Sequence, residues 1–202
     1  MTGAPRATRA APVRCEAMRG TTEFGSLRHL VARFFGALWP GGPRPADEQW
    51  AQQWLLPGER RLWARMSGAD RRHAVGVARG TIELLGGGPA GAPREVVASA
   101  LLHDVGKVES ALGTVSRALL TMGAMTVGRS RLAAPAAPGR PERHWRERAR
   151  LYLTHDRVGA ALLEQAGSHP TTIAWTREHH QDPESWTLER RTADALKAAD
   201  GD

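Results

Sequence analysis

The chain has 202 residues, with 28 basic against 21 acidic side chains, a formal net charge of +7 and a hydrophobic share of 41%. These values describe a single globular domain with tails and exclude a wholly disordered chain. The lone Cys15 excludes an intramolecular disulfide framework and a cysteine zinc knuckle, and the cations other than Lys107 and Lys197 are all arginine. Such a bias makes the charge a poor pointer to nucleic acid, which is not an expected partner.

Residues 1–20 carry four arginines among Ala and Pro and hold no apolar core, so no secretory signal is expected and the simplest compartment is the cytoplasm. Residues 1–45 read as a basic, disordered tail, with a short amphipathic helix at 27–39 (LRHLVARFFGALW). The run PGGPRP over 40–45 breaks that pattern. Beyond it the apolar spacing is helical. The predicted helices are 46–56, ended by Pro57-Gly58; 59–66; 68–85, stopped by three glycines; 93–104, with Pro at its start and Gly106 past its end; 112–127; 142–153; 156–166; 171–179; and 187–200. Residues 128–141 form a basic Pro/Ala loop whose Arg129, Arg131 and Arg140, with Arg143 beside them, read as solvated surface. No stretch alternates as a strand would. The longest strongly apolar run, 96–102, is far short of the ~20 residues that span a bilayer, so no transmembrane segment is expected. The expectation is an all-α domain over 46–202.

Five of the eight histidines lie in helical contexts: His73, His103, His155, His179 and His180. The periodicity puts His73 in line with Val77 and Leu84, and His155 with Gly159 and Leu162. His103 and Asp104 follow the most apolar stretch of the chain, and Asp200 ends a helix whose Ala193 and Leu196 face inward. Taken singly, a helical histidine is ordinarily a hydrogen-bonded structural residue, and a terminal aspartate a solvated or capping one. A carboxylate at the end of a buried run, however, is costly unless it is paired or metal-bound. Imidazoles and carboxylates arriving from several helices suit Zn, Mn or Fe rather than Ca. The tryptophans read as core anchors, and Trp175, four residues before His179, is a candidate pocket wall.

The segment LLHDVGK resembles the hallmark of the HD superfamily of metal-dependent phosphohydrolases, and MSGADRRHAVGVAR resembles the helix that carries that family's first histidine. The resemblance covers roughly residues 60–202 and implies an HD-domain helical bundle. It implies that His73, His103, Asp104 and Asp200 hold a metal. THDRVGAALLEQAG is similar to the H-x-x-x-G step of the HDIG branch, and His179-His180 to its double histidine. That branch implies a second divalent metal on Asp104, His155 and His179 or His180, with Asp104 as the bridge and Fe, Mn or Zn as the ions. Lys107 is implied to meet a phosphate oxygen, against the alternative that it closes a helix end. The segment VGKVESALG lacks the GYP signature, so cyclic di-GMP is not the expected substrate. The activity implied is metal-dependent hydrolysis of a small phosphorylated substrate such as a nucleotide, through a metal-activated water. A di-iron oxygenase and a non-catalytic nucleotide-sensing module share the ligand set and stay open here.

Overall fold

A computed structural model of the chain describes residues 41–88, 91–113, 116, 120 and 143–201. Of the tail expected over 1–45, residues 1–40 with the helix at 27–39 lie outside the described residues, as do most of the helix expected at 112–127 and the loop at 128–141; Pro45 already opens a helix. Among the described residues there are eight α-helices and two short 3-10 helices, and no strand, so the fold is all-α. The helices are α1 (Pro45–Gln53), α2 (Pro57–Arg65), α3 (Gly68–Leu84), α4 (Arg94–Leu102), α5 (Arg143–Leu153), α6 (His155–Ala166), α7 (Pro170–Glu178) and α8 (Arg190–Asp200). Among the described residues no helix is long and apolar enough to cross a membrane.

The chain places its caps where helix termini need them. Glu59, third in α2, accepts a hydrogen bond of 2.7 Å from the Leu56 N–H. Ser67 caps α3 by accepting from the Asp70 N–H, and Glu189 caps α8 by accepting from Arg191 and Thr192. Each such contact satisfies a backbone N–H that the helix itself leaves unpaired, and is worth about 1 kcal/mol.

Helix α4 is the central rod. Every residue from Val96 to Leu102 is buried, so it is apolar on all sides rather than amphipathic. It packs against α3 and α7, while α8 lies along α3 and α6 along α7. Leu101, Leu102, Leu163, Leu196, Trp63 and Trp175 fill the space between them and are essentially inaccessible to solvent. Burying each such side chain contributes about 1.5–3 kcal/mol or more. Val77 is buried as the periodicity of α3 predicts, but Leu84, assigned to the same face, is 54% exposed because the helix ends there.

Three boundaries differ from the sequence expectation in ways that matter for the site. Helix α4 ends at Leu102, not Asp104. Asp104 sits in a turn (φ −97°, ψ 6°), and a 3-10 helix, Val105–Glu109, follows at once. Helix α8 begins at Arg190 rather than 187, because Thr187 is held outside it: its N–H and hydroxyl both donate to the Glu178 carboxylate, at 2.7 and 2.8 Å. Helix α1 stops at Gln53, since Pro57 forces Leu56 into an extended conformation (ψ 161°).

Candidate metal centre

Helix ends deliver most of the polar groups to one place. His103 and Asp104 leave the C-terminus of α4, His155 is the first residue of α6, His179 and His180 follow the last residue of α7, and Asp200 closes α8. Only His73 comes from a helix interior, that of α3. His103, Asp104, His155, His179 and Asp200 are all buried, whereas His73 is 26% exposed at its side chain and His180 is exposed. The cluster therefore opens to solvent on the side of these last two.

Two groups of ligand atoms form, each within 4.8 Å: His73, His103 and Asp200 in one, His155, His179 and His180 in the other. In the first, Asp200 Oδ1 lies 2.9 Å from His73 Nε2 and 3.6 Å from His103 Nε2. In the second, the Nε2 atoms of His155 and His180 are 3.2 Å apart. Asp104 stands between the two groups. Its Oδ1 is 3.1 Å from His155 Nε2, and its Oδ2 is 3.4 Å from His103 Nε2. All seven residues singled out as ligands in the sequence thus meet in one cluster. The neighbours His179 and His180, between which sequence could not choose, both face His155.

The histidines are aimed by a repeated device. The Nδ1–H of His103 donates to the Ala100 carbonyl, that of His155 to Tyr152 and that of His179 to Thr176, at 2.9, 2.7 and 2.9 Å. Each acceptor lies three residues earlier, where the turn of a helix brings it alongside. A proton fixed on Nδ1 turns Nε2 inward, the arrangement that orients a metal-ligating imidazole. Nε2 of His103 and of His179 are buried without a hydrogen-bond partner. A buried nitrogen without a hydrogen bond is costly, and these two, with His103 Nε2 set 3.4 and 3.6 Å from the carboxylates of Asp104 and Asp200, form a donor set that fits a divalent transition metal. Lys197 supports the same geometry by donating 3.0 Å to the carbonyl of His179.

The electrostatics follow from crowding unlike charges in a dry interior. Burial opposes charge on His103, but the carboxylates of Asp104 and Asp200 outweigh it, and the imidazole pKa rises from 6.5 to about 9. Burial likewise opposes charge on Asp104, yet the Lys107 ammonium and then His103 hold its carboxyl well below the usual range. Asp200 is also depressed, by His103 and by the His73 hydrogen bond, against the pull of burial. His179 moves the other way: burial, then repulsion from His103 and His155, lowers it to about 3.

A pH dependence follows. His103, raised in the folded state, stabilises the metal-free protein below pH 6.5, and that contribution is lost as the pH rises through about 9. His179, depressed, makes the fold lose stability as the pH falls below 6.5. Metal-free protein is therefore expected to melt highest near pH 6.5. A metal must displace the His103 proton, so the rise in Tm produced by Mn(II) is expected to grow from pH 6.5 to 9. Melting curves with Mn(II) or with chelator test this, and a metal-free Tm that is flat from pH 6.5 to 9.5 would refute it.

Two findings were not expected from sequence. Lys107 lies in the 3-10 helix, and its ammonium sits 2.5 Å from Asp104 Oδ2, a partner that neither the phosphate nor the helix-end reading supplied. Tyr152, the chain's only tyrosine, flanks the cluster. Its ring centroid is 5.9 Å from that of His155 and 6.0 Å from Lys107 Nζ. Its place three residues before His155, a candidate ligand, is the one sequence signal that could have found it. Trp175 is buried under His179 and packed edge-on to Trp186 at 5.4 Å, so it belongs to the core and not to a pocket wall.

A close backbone contact holds the two halves of the cluster together. The 3-10 helix lies against the start of α6, and a methyl group added at Gly106 would overlap the His155 carbonyl and come within 2.5 Å of the Gly159 nitrogen. One added at Gly159 would lie 2.9 Å from the Thr176 methyl and 3.0 Å from the Gly106 nitrogen. Only glycine at both positions lets Asp104 approach His155. Compared with known proteins, the chain matches no family model, no curated protein and no solved structure.

Proposed function

We propose that this chain is a metal-dependent phosphohydrolase of the HD type that holds two divalent metals and cleaves a small phosphoester such as a nucleotide. One observation carries the reading: Asp104 presents one carboxylate oxygen to the His155 group and the other to His103, the posture of a bridge between two cations. His73, His103 and Asp200 would hold one ion, and His155, His179 and His180 the other. The ordered motif that resembles the HD superfamily supports the same assignment.

The metals, Fe, Mn or Zn, would supply Lewis acidity toward the phosphoryl oxygens and lower the pKa of a coordinated water toward neutrality. The protein's own residues do the rest. The Nδ1 anchors hold three imidazole rings in orientation before anything binds. The buried floor of Leu101, Leu102 and Trp175 keeps bulk water from beneath the cluster, where fixed charges then act at low dielectric. The substrate would approach past the partly exposed His73 and the exposed His180, and Lys107, 13% exposed beside Asp104, would supply a cation for its phosphate.

The test is metal analysis of purified protein, followed by a screen of phosphorylated substrates with Mn(II) or Fe(II) added to metal-free protein. Two equivalents of metal and release of inorganic phosphate are expected. Turnover that requires both oxygen and iron would instead make the chain an oxygenase. Tight nucleotide binding without turnover would make it a sensing module, and absence of bound metal under all conditions would overturn the proposal.

A further inference from the structure

Lys107 and a metal at the His73–His103–Asp200 group need the same atom. Asp104 Oδ2 is 2.5 Å from the ammonium and is also the oxygen turned toward His103, 3.4 Å away. A dication bonded to that oxygen at about 2.0–2.2 Å would lie within about 5 Å of the ammonium, in an environment where like charges repel strongly. The lysine has somewhere else to go. Its Nζ is 6.0 Å from the centroid of the Tyr152 ring, whose face can receive a cation, and the side chain already reaches solvent. The neighbouring Asp104 oxygen stays engaged with His155 whichever cation holds Oδ2.

We propose that Lys107 stands in for the metal on Asp104, so that metal loading displaces the ammonium from the carboxylate and only then presents it to the substrate phosphate. The inference rests on the metal-centre reading and deepens it. Lys107 sets the affinity of the site for metal and couples phosphate capture to metal occupancy. An unloaded site keeps Lys107 on its own carboxylate, which masks the cation from anions.

The experiment is chelator competition for Mn(II) with the full chain at pH 7.5. Lys107→Met is expected to bind the Asp104-dependent ion at least about tenfold more tightly than wild type, the scale of one charge-assisted hydrogen bond removed from competition, while Lys107→Arg stays close to wild type. In an Asp104→Asn background the same substitution is expected to change nothing. Binding of inorganic phosphate to the Mn-loaded protein is expected to weaken about tenfold or more in Lys107→Met. Unchanged or weaker Mn(II) binding in Lys107→Met, with wild-type helical circular dichroism, overturns the proposal. So does a gain of equal size with Asn at 104, which would make the effect simple repulsion through space, and so does an unaltered phosphate affinity. If wild type binds no Mn(II), both this proposal and the metal-centre reading fall. If the affinities shift as expected but no phosphoester is cleaved, only the assignment of the reaction falls.

Discussion

Under the proposed two-metal hydrolase reading, Asp104→Ala is expected to empty the centre and bring hydrolysis down to background. The substitution removes the one carboxylate that faces both groups of ligands, at 3.1 Å from His155 and 3.4 Å from His103. Two dications would then share a pocket with a single remaining carboxylate, Asp200, and their mutual repulsion would go uncompensated. The loss is not confined to the metals. Lys107 loses its 2.5 Å partner and His103 the nearer of its two carboxylates, and removing one member of a buried ion pair costs about 3–5 kcal/mol. The pKa of His103, now lifted to about 9, is therefore expected to fall toward or below its ordinary 6.5, moving the pH of maximal stability with it. Metal content per chain and phosphate release measure the first effect, and melting curves across pH measure the second. An Asp104→Ala protein that keeps two ions and normal turnover would show the assignment of the centre to be wrong. Asp104→Asn separates shape from charge, because it keeps the packing and lacks the second anionic oxygen.

The polar residues of the centre are legible in sequence for a physical reason. Asp104 comes two residues after the strongly apolar run 96–102 and lies inside the unbroken buried stretch 96–106, so its charge needs a partner whatever the fold. His73, His155 and His179 sit on apolar helical faces, and Asp200 closes a helix whose Ala193 and Leu196 are buried as the period predicts. The approximate bounds of the helices among the described residues follow from the same periodicity. What local pattern does not encode is which groups meet across long separations. The contact between Gly106 and Gly159 joins residues more than fifty positions apart, and the spacing of either residue within its own segment says only that the backbone is exposed there. The grip of Lys107 on Asp104 is short in sequence but depends on α4 ending at Leu102, and that end is set by how the 3-10 helix meets α6. The strap from Glu178 to Thr187 shortens α8 by the same kind of long-range claim on a residue whose local preference is helical.

Gly106→Ala is expected to disassemble the centre without touching a ligand. The added methyl would overlap the carbonyl of His155 and lie 2.5 Å from the Gly159 nitrogen, and both of these are backbone atoms of α6 that no rotamer change can clear. Relief requires the 3-10 helix to back away from α6. Asp104 precedes that helix directly and must move with it, lengthening the 3.1 Å contact to His155 and carrying Lys107 along. Overpacking of this kind costs about 1–3 kcal/mol in stability. The loss in activity is expected to be larger, about 100-fold or more, because a displacement of about 1 Å at a positioned group costs that much. Metal binding at the His155 group should weaken, while His73, His103 and Asp200, carried by α3, α4 and α8, keep their arrangement. The control is Gly76→Ala in the middle of α3, where an added methyl meets nothing within 4 Å. There the better helix propensity of alanine is expected to raise stability by about 0.5–1 kcal/mol with turnover unchanged. Differential scanning calorimetry, metal content and phosphate release on the two variants decide the matter. Wild-type turnover in Gly106→Ala would mean that the distance from Asp104 to His155 is not what activity depends on.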